Sequence, residues 1–252
     1  PYHIPSGGGS YLPSGGGRVK RSSTVTIAIM DVYDGGDDVF VYLGGEQEVP
    51  RNVRRVVIDR SVKIIPKKAF YQRKDLVSVE FHEGVEIVVG VQVFMGCRSI
   101  QKIKIPYART IEFSVLSYCE QLTDAEFGSS LDTIGSNAFY YCPSLRRITI
   151  PMKENLFPPD LVFHRCTQFD NCPNLTTIDL VGGIRKTISS LLLVRWRNDM
   201  NQEVDRINQV LPNSHANGKT DEIRGWIRSV LRKIEHYKAE HRVLLKEATT
   251  LL

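Results

Sequence analysis

Residues 123–150 read TDAEFGSSLDTIGSNAFYYCPSLRRITI, and this unit decides the fold because it recurs along the chain. Each copy begins with an aliphatic residue and an alternating apolar run, and ends in Ala-Phe-x-x-Cys-x-x-Leu or a variant of it. Successive copies begin 23, 24, 22, 23 and 30 residues apart, at Val53, Leu76, Ile100, Leu122, Leu145 and Leu175. A repeat of this length cannot bury its apolar side alone, so neighbouring repeats share one core and the chain is predicted to form a solenoid.

The start of each repeat predicts a short strand. Its apolar residues alternate with polar ones, and this period of two places the apolar side chains on one buried face. Identical stacking of the strands then predicts a parallel sheet. The predicted inward pairs are Val56 and Ile58, Val79 and Phe81, Ile103 and Ile105, Ala125 and Phe127, Ile148 and Ile150, and Ile178 and Leu180. The fifth repeat carries seven extra residues around Glu154 to Asp160, which predict a loop on one face.

Two columns of side chains follow each strand. The aromatic column comprises Phe70, Phe94, Leu116 in place of an aromatic residue, Phe139 and Phe169, and the cysteine column comprises Cys97, Cys119, Cys142 and Cys172. A straight row of thiols cannot converge on a tetrahedral zinc ion, so the cysteines are interpreted as small core residues. Their use as core residues also favours a reducing compartment, and we predict a cytoplasmic location.

The sequence predicts four parts of the chain, one of which is the repeats. Residues 1–23 are rich in glycine, serine and proline, which predicts a flexible arm. Residues 24–52 contain two β-like runs, Thr24 to Asp31 and Val39 to Leu43, around a glycine turn and predict an N-terminal capping hairpin. The repeats are assigned to residues 53–187 and a helical C-terminal segment to residues 188–252.

The helical segment predicts two helices. Apolar residues recur every three or four positions from Ile188 to Leu211, and Thr220 is predicted to cap the helix that follows. The second helix has a heptad seam formed by Ile223, Ile227, Val230, Ile234, Tyr237, His241, Leu244, Ala248 and Leu251. We expect the two helices to fold back as a hairpin; the alternative is self-association through residues 223–251 as a coiled coil.

Charge is distributed unevenly along the chain. The segment from Arg51 to Lys74 contains nine basic residues and one acid, Asp59, so its net charge is +8. It is a candidate docking site for an acidic partner or a membrane surface, and the alternative is a solvated edge. The candidate partner-binding residues are Arg54, Arg55, Arg60, Lys63, Lys67, Lys68 and Arg73. The outward strand positions alternate in sign from repeat to repeat, so this face is expected to pair with itself and not to bind nucleic acid.

No catalytic, cofactor or metal site is predicted. Residues 182–187, GGIRKT, lie where a phosphate loop would, but they lack the spacing Gly-x-x-x-x-Gly-Lys. His164, Cys166 and Cys172 could supply metal ligands, but no Cys-x-x-Cys accompanies them. The longest apolar run, Ile188 to Val194, is too short to span a membrane. Two alternatives stay open: a cell-surface adhesin, or an enzyme with a phosphate site between the repeats and the helices.

The unit at residues 123–150 resembles the BspA-type leucine-rich repeat, and the resemblance covers roughly residues 39–180. The helical tail is similar to that of family members from diatom-like algae. This resemblance implies an α/β leucine-rich-repeat solenoid with a parallel sheet, and a non-enzymatic scaffold for binding a protein partner. Leu116 and Arg73 depart from the pattern, since they replace the aromatic residue and the cysteine of their repeats.

Overall fold

The computed structural model describes residues 39–82, 87–158, 167–183 and 194–250. The predicted arm and the first strand of the predicted hairpin, Thr24 to Asp31, lie outside these residues.

The repeats form the predicted parallel sheet, with one strand from each repeat. β1, β2 and β4 pair in this order, as do β6, β8, β10 and β11, and β4 lies beside β6. Every pairing is parallel, so the fold class predicted from the repeats is confirmed. The strands of this first sheet are Val39–Tyr42 (β1), Arg55–Ile58 (β2), Ser78–Phe81 (β4), Lys102–Ile105 (β6), Asp124–Phe127 (β8), Arg147–Ile150 (β10) and Thr177–Leu180 (β11).

The second strand of the predicted hairpin is β1, and it belongs to the repeat sheet. It pairs in parallel with β2 over its full length, from Val39 beside Arg55 to Tyr42 beside Ile58. Within the described residues, the sheet therefore contains one strand before that of the first repeat predicted from the sequence.

A second, shorter parallel sheet lies later in each repeat, with the order β3-β5-β7-β9. Its strands have only two to four residues, too few for an alternating pattern to predict them. They are Ile64–Ile65 (β3), Ile87–Val89 (β5), Ala108–Ile111 (β7) and Thr133–Ile134 (β9). The insertion of the fifth repeat contacts the last strand of this sheet: the Ile134 amide donates to the Leu156 carbonyl at 2.7 Å. The predicted loop is thus a turn and a bend at residues 154–157, in which Leu156 and Phe157 are buried.

The core lies between the two sheets and contains the predicted inward pairs. All of them are buried except Phe81, which is half-buried. The aromatic column stacks in two pairs, Phe70 on Phe94 and Phe139 on Phe169, each with ring centroids 5.2 Å apart. Leu116 separates the two pairs and is fully buried.

A turn returns the chain from the second sheet to the next strand of the first. We call the surface formed by residues 66–75, 90–99, 112–121 and 135–144 the turn face. In each turn, alternate amides donate to carbonyls of the next rung; in the first turn Lys68, Phe70 and Gln72 donate to Val91, Val93 and Met95 at 2.9 to 3.0 Å. The residues two before and two after the aromatic position have positive φ in each of these turns. They are Lys68 and Gln72, Gln92 and Gly96, Ser114 and Tyr118, and Asn137 and Tyr141.

Two helices follow the repeats, Val194–Val210 (α1) and Lys219–Thr250 (α2), joined by a 3-10 turn at Leu211–Asn213. They form the predicted antiparallel hairpin. Trp196 near the start of α1 stacks on Tyr237 at 4.9 Å, and the Trp226 indole near the start of α2 donates to the Glu203 carbonyl at 2.9 Å. The predicted seam is buried over its first five positions, from Ile223 to Tyr237.

The hairpin closes the C-terminal end of the repeats. The Asn208 amide group accepts from the Ile178 N–H at 2.8 Å and donates to the Ile178 carbonyl at 3.3 Å, as a further strand would. The Thr220 hydroxyl accepts from the Phe169 amide at 3.3 Å and the Asn217 side chain accepts from the Asn171 amide at 3.4 Å. The prediction that Thr220 caps α2 is therefore wrong, since α2 begins at Lys219 and the hydroxyl bonds to the last repeat.

Candidate interaction surface

The predicted partner-binding residues are distributed around three sides of the first repeat. Arg54 and Arg55 lie at the start of β2, Arg60 and Lys63 lie in the loop to β3, and Lys67 and Lys68 follow β3 on the turn face. All six side chains are exposed. They do not converge on a single patch, so any one partner contacts only some of them.

Arg73 differs from the other six. It occupies the position that cysteine takes in the later repeats and is half-buried. Its guanidinium group donates to the Val49 carbonyl and to the Tyr71 carbonyl, each at 3.0 Å. These bonds join the first turn to the segment before it, which gives Arg73 a structural role.

Lys67 and Lys68 form an adjacent pair of exposed cations on the turn face. The Lys68 ammonium lies 5.2 Å from the ring centroid of Tyr71, within the range of a cation–π contact. The turn at residues 66–75 contains four basic residues and one acid, Asp75, so its net charge is +3.

Most described cations of the later repeats are paired with acids; Lys102 and Arg146 are the exceptions among the described residues. On the strand face Lys104 pairs with Glu126 at 2.8 Å and Arg147 pairs with Asp179 at 3.2 Å, which confirms the predicted self-pairing of that face. On the turn face Arg98 pairs with Glu120 at 3.2 Å. Among the described residues, no basic side chain between Arg51 and Lys74 takes part in an ion pair. The first repeat therefore presents positive charge that these residues do not neutralise.

A cluster of tyrosines lies on the turn face of the later repeats. The ring of Tyr118 lies 5.4 Å from that of Tyr140 and 5.5 Å from that of Tyr141. Tyr118 is 36% exposed and Tyr141 is 45% exposed. Partial burial and the neighbouring Tyr140 phenol raise the pKa of Tyr118. This cluster was not predicted from the sequence. Its only sequence signal is that Tyr140 and Tyr141 occupy the two variable positions of the Ala-Phe-x-x-Cys pattern.

The four described cysteines are free thiols, and each one bonds to the preceding repeat. Each Sγ donates to the backbone carbonyl of the previous aromatic-column residue, at distances from 2.9 to 3.3 Å. Burial raises the pKa of Cys97 to about 12 and raises the pKa values of Cys119 and Cys142 well above their ordinary range. The raised pKa values of Cys97, Cys119 and Cys142 disfavour the thiolate that a metal ligand or nucleophile requires, so these three thiols have a structural role.

Lys219 is a buried lysine at the junction of the repeats and the helices. Its amino group donates to the Leu175 carbonyl at 2.7 Å and to the Leu211 carbonyl at 2.6 Å. Desolvation lowers the pKa of this amine. A neutral amine still has two N–H donors, so both bonds survive deprotonation.

The other candidate sites lie partly or wholly outside the described residues. Gly182 and Gly183 of the glycine-rich turn are exposed and have positive φ, whereas residues 184–187 are not described. His164 and Cys166 are not described either. No group of three or more potential metal ligands occurs among the described residues, and no helix among them is long and apolar enough to cross a membrane.

The comparison with protein families matches the BspA type leucine rich repeat region, in six copies, to residues 50–169. No curated protein matches the chain.

Three solved structures are similar to the chain, each with a TM-score below 0.5. A leucine rich cell surface protein from Faecalibacterium prausnitzii A2-165 is 25% identical, with a TM-score of 0.46 over 56% of this chain and 36% of that one. The T. pallidum leucine rich repeat protein is 24% identical, with a TM-score of 0.43 over 57% of this chain and 74% of that one. A leucine-rich repeat protein from Bacteroides ovatus is 24% identical, with a TM-score of 0.44 over 57% of this chain and 36% of that one. The chain thus spans little more than a third of the length of the first of these proteins.

The family match agrees with the rungs, the aromatic column and the cysteine column of the structure. Over residues 50–169 the chain is therefore similar to BspA-type leucine-rich repeats.

Proposed function

We propose that the chain is a non-enzymatic interaction protein whose first repeat binds an acidic segment of a protein partner. The observation that carries the proposal is the contrast between repeats: most described cations of the later repeats are paired with acids, whereas among the described residues none of the nine between Arg51 and Lys74 is. Unpaired surface charge of one sign attracts a partner of the opposite sign, and salt weakens the attraction.

Lys67 and Lys68 are the residues that best suit this role. They are adjacent, exposed and free of ion pairs among the described residues, and they lie on the same face as Lys74. Arg54, Arg55, Arg60 and Lys63 extend the positive potential around the repeat. Arg73 is left out of the tests, because removal of its bond to Val49 would disturb the fold.

The test uses a fluorescein-labelled peptide of four glutamates flanked by serines, and fluorescence anisotropy at low and at physiological salt. We expect the double variant Lys67→Glu, Lys68→Glu to weaken binding at least tenfold, or about 1.4 kcal/mol. The matched control is Arg228→Glu, Arg232→Glu, which makes the same charge change at exposed positions of α2. Equal binding by the Lys67/Lys68 variant and the unchanged protein would refute the proposal.

A membrane surface is the other acidic target for the same cations. Vesicles of phosphatidylserine and phosphatidylcholine are added in parallel, with sedimentation of the vesicles as the readout. If the vesicles bind the protein through Lys67 and Lys68 and the peptide does not bind, the partner is a membrane and the proposal is wrong.

The proposal also states that the chain lacks catalytic activity. We expect no turnover of ATP or of generic ester and phosphate substrates. Turnover that is lost in Lys186→Ala would instead place a phosphate site between the repeats and the helices.

We propose a reducing compartment for the protein, because the four described cysteines are unpaired and buried. Alkylation of the unfolded protein, taken from its source without reductant, is expected to modify these four cysteines. The similarity of the helical tail to that of members from diatom-like algae stays a prediction.

A further inference from the structure

We propose that Tyr118, Tyr140 and Tyr141 bind the apolar part of the same partner segment whose acidic part binds Lys67 and Lys68. This inference rests on the proposed function and adds the chemistry of the partner: a short extended segment in which acidic residues are followed or preceded by apolar ones.

The three tyrosines form a surface suited to a protein partner. Their rings contact one another at centroid distances of 5.4 to 6.5 Å, so each ring is held in place by its neighbours. Tyr118 and Tyr141 nevertheless remain exposed. Rigid, partly exposed tyrosines offer a large apolar area with little loss of side-chain entropy on binding, and they are enriched at binding hot spots.

The lysines and the tyrosines lie on one continuous face. Backbone bonds connect Lys68 to Val91, Gln92 to Phe113 and Ser114 to Ser136, which is one rung at each step. Three steps of about 4.8 Å separate the rung of the lysine pair from the rung of Tyr141 by roughly 14 Å along the stack. Tyr141 also lies four positions further along its turn than Asn137, which occupies the column of Lys68. An extended segment of about six residues, at roughly 3.3 Å per residue, spans both offsets.

The charges of the turn face favour a mixed segment over a nucleic acid. The turns that contain the tyrosines, residues 112–121 and 135–144, have no basic residue, so they offer no cation to a phosphate. The rings are also tilted against one another, by 36° to 73°, and do not form the parallel platforms on which successive bases stack. An apolar side chain of a protein partner needs neither a nearby cation nor parallel aromatic rings.

The experiment compares two labelled peptides. One has four central glutamates flanked on both sides by Leu-Ser-Leu-Ser, so that it fits in either direction, and the other has serine in place of every leucine. We expect the leucine peptide to bind about tenfold more tightly than the serine peptide. This preference should be lost in Tyr118→Ser, Tyr141→Ser and retained in Tyr118→Phe, Tyr141→Phe, which keeps the rings.

Two controls separate this inference from the proposed function. Tyr107→Ser removes a half-buried tyrosine between β6 and β7, outside the turn face, and should leave the preference unchanged. Lys67→Glu, Lys68→Glu should weaken the binding of both peptides. Circular dichroism checks that every variant is folded.

The outcomes are distinct. Equal affinity for the two peptides, or a preference that survives Tyr118→Ser, Tyr141→Ser, overturns the inference and leaves the proposed function intact. Failure of the serine peptide to respond to the lysine variant refutes the proposed function. Tighter binding of a labelled dT12 oligonucleotide than of either peptide, lost in the tyrosine variant, overturns the inference in favour of a nucleic acid.

Discussion

At the scale of single residues, the cysteine column combines burial with a hydrogen bond between repeats. The sequence pattern predicts small core residues at these positions, and the structure confirms that they are buried. The bond from each Sγ to the preceding repeat could not be predicted, because it depends on which carbonyl the previous turn directs toward the thiol. The same holds for Arg73, whose bonds to Val49 and Tyr71 depend on the local backbone.

The buried thiols make stability depend on alkaline pH. The pKa of Cys97 is raised to about 12 in the folded protein, whereas a thiol of the unfolded chain ionises near pH 8.5. Between these values the folded state holds more protons, so the free energy of unfolding falls as pH rises, by up to about 1.4 kcal/mol per pH unit for this thiol.

We therefore expect Cys97→Ser, which keeps a donor but does not ionise, to lose less stability between pH 8 and pH 10 than the unchanged protein. Urea unfolding with reductant measures the difference, and the contribution of Lys219 cancels because both proteins contain it. Parallel pH curves for the two proteins would show that Cys97 ionises normally when folded.

Leu116 gives a second residue-scale prediction. It separates two stacked phenylalanine pairs, and its rung lies about 5 Å from each neighbour, which is the spacing of a stacked ring. We expect Leu116→Phe to be neutral or to stabilise the protein by up to about 1 kcal/mol, whereas Phe139→Ala should cost about 3–5 kcal/mol. A loss above about 2 kcal/mol for Leu116→Phe in urea unfolding would show that the column has no room for a ring there.

At the scale of elements, the features that could be predicted from the sequence are those whose residues recur at a regular spacing. The strands of the first sheet, the aromatic column and the seam of α2 each rest on a spacing that repeats, and the structure contains all three. The second sheet also recurs from repeat to repeat, but its strands are too short for an alternating pattern to predict them. The position of Leu156 and the bond from Phe169 to Thr220 rest on single long-range contacts that have no periodic signal. The tyrosine cluster is of the same kind, since its members come from two repeats.

The contact between α1 and β11 gives a prediction for these elements. Asn208 occupies the open edge of β11 and satisfies both backbone groups of Ile178. Asn208→Ala leaves two polar groups without these partners, and we expect a loss of about 1–3 kcal/mol of stability. Asn208→Asp keeps the acceptor for the Ile178 N–H and should be milder. Hydrogen exchange at the Ile178 amide checks the mechanism: unchanged protection in Asn208→Ala would contradict it.

At the scale of the whole molecule, the helical hairpin uses the apolar seam within one chain. Ile223, Ile227, Val230, Ile234 and Tyr237 are buried in a single copy. We expect a monomer in analytical ultracentrifugation, both for the full chain and for a chain that ends at Val243. Ending the chain at Leu211 would be a poor test, because it removes Thr220 and Lys219 from the last repeat. A full-length dimer that becomes a monomer on ending at Val243 would support self-association through residues 223–251 instead.

The closing of the last repeat by the hairpin has an evolutionary consequence. Asn208, Asn217, Lys219 and Thr220 all bond to backbone groups of that repeat, and none of these bonds uses one of its side chains. Backbone groups are the same in every copy of the unit, so the hairpin would fit a different final copy almost as well. Duplication or loss of an internal repeat would then change the length of the protein without requiring a new helical hairpin. The number of repeats would therefore be free to vary between descendants of one gene.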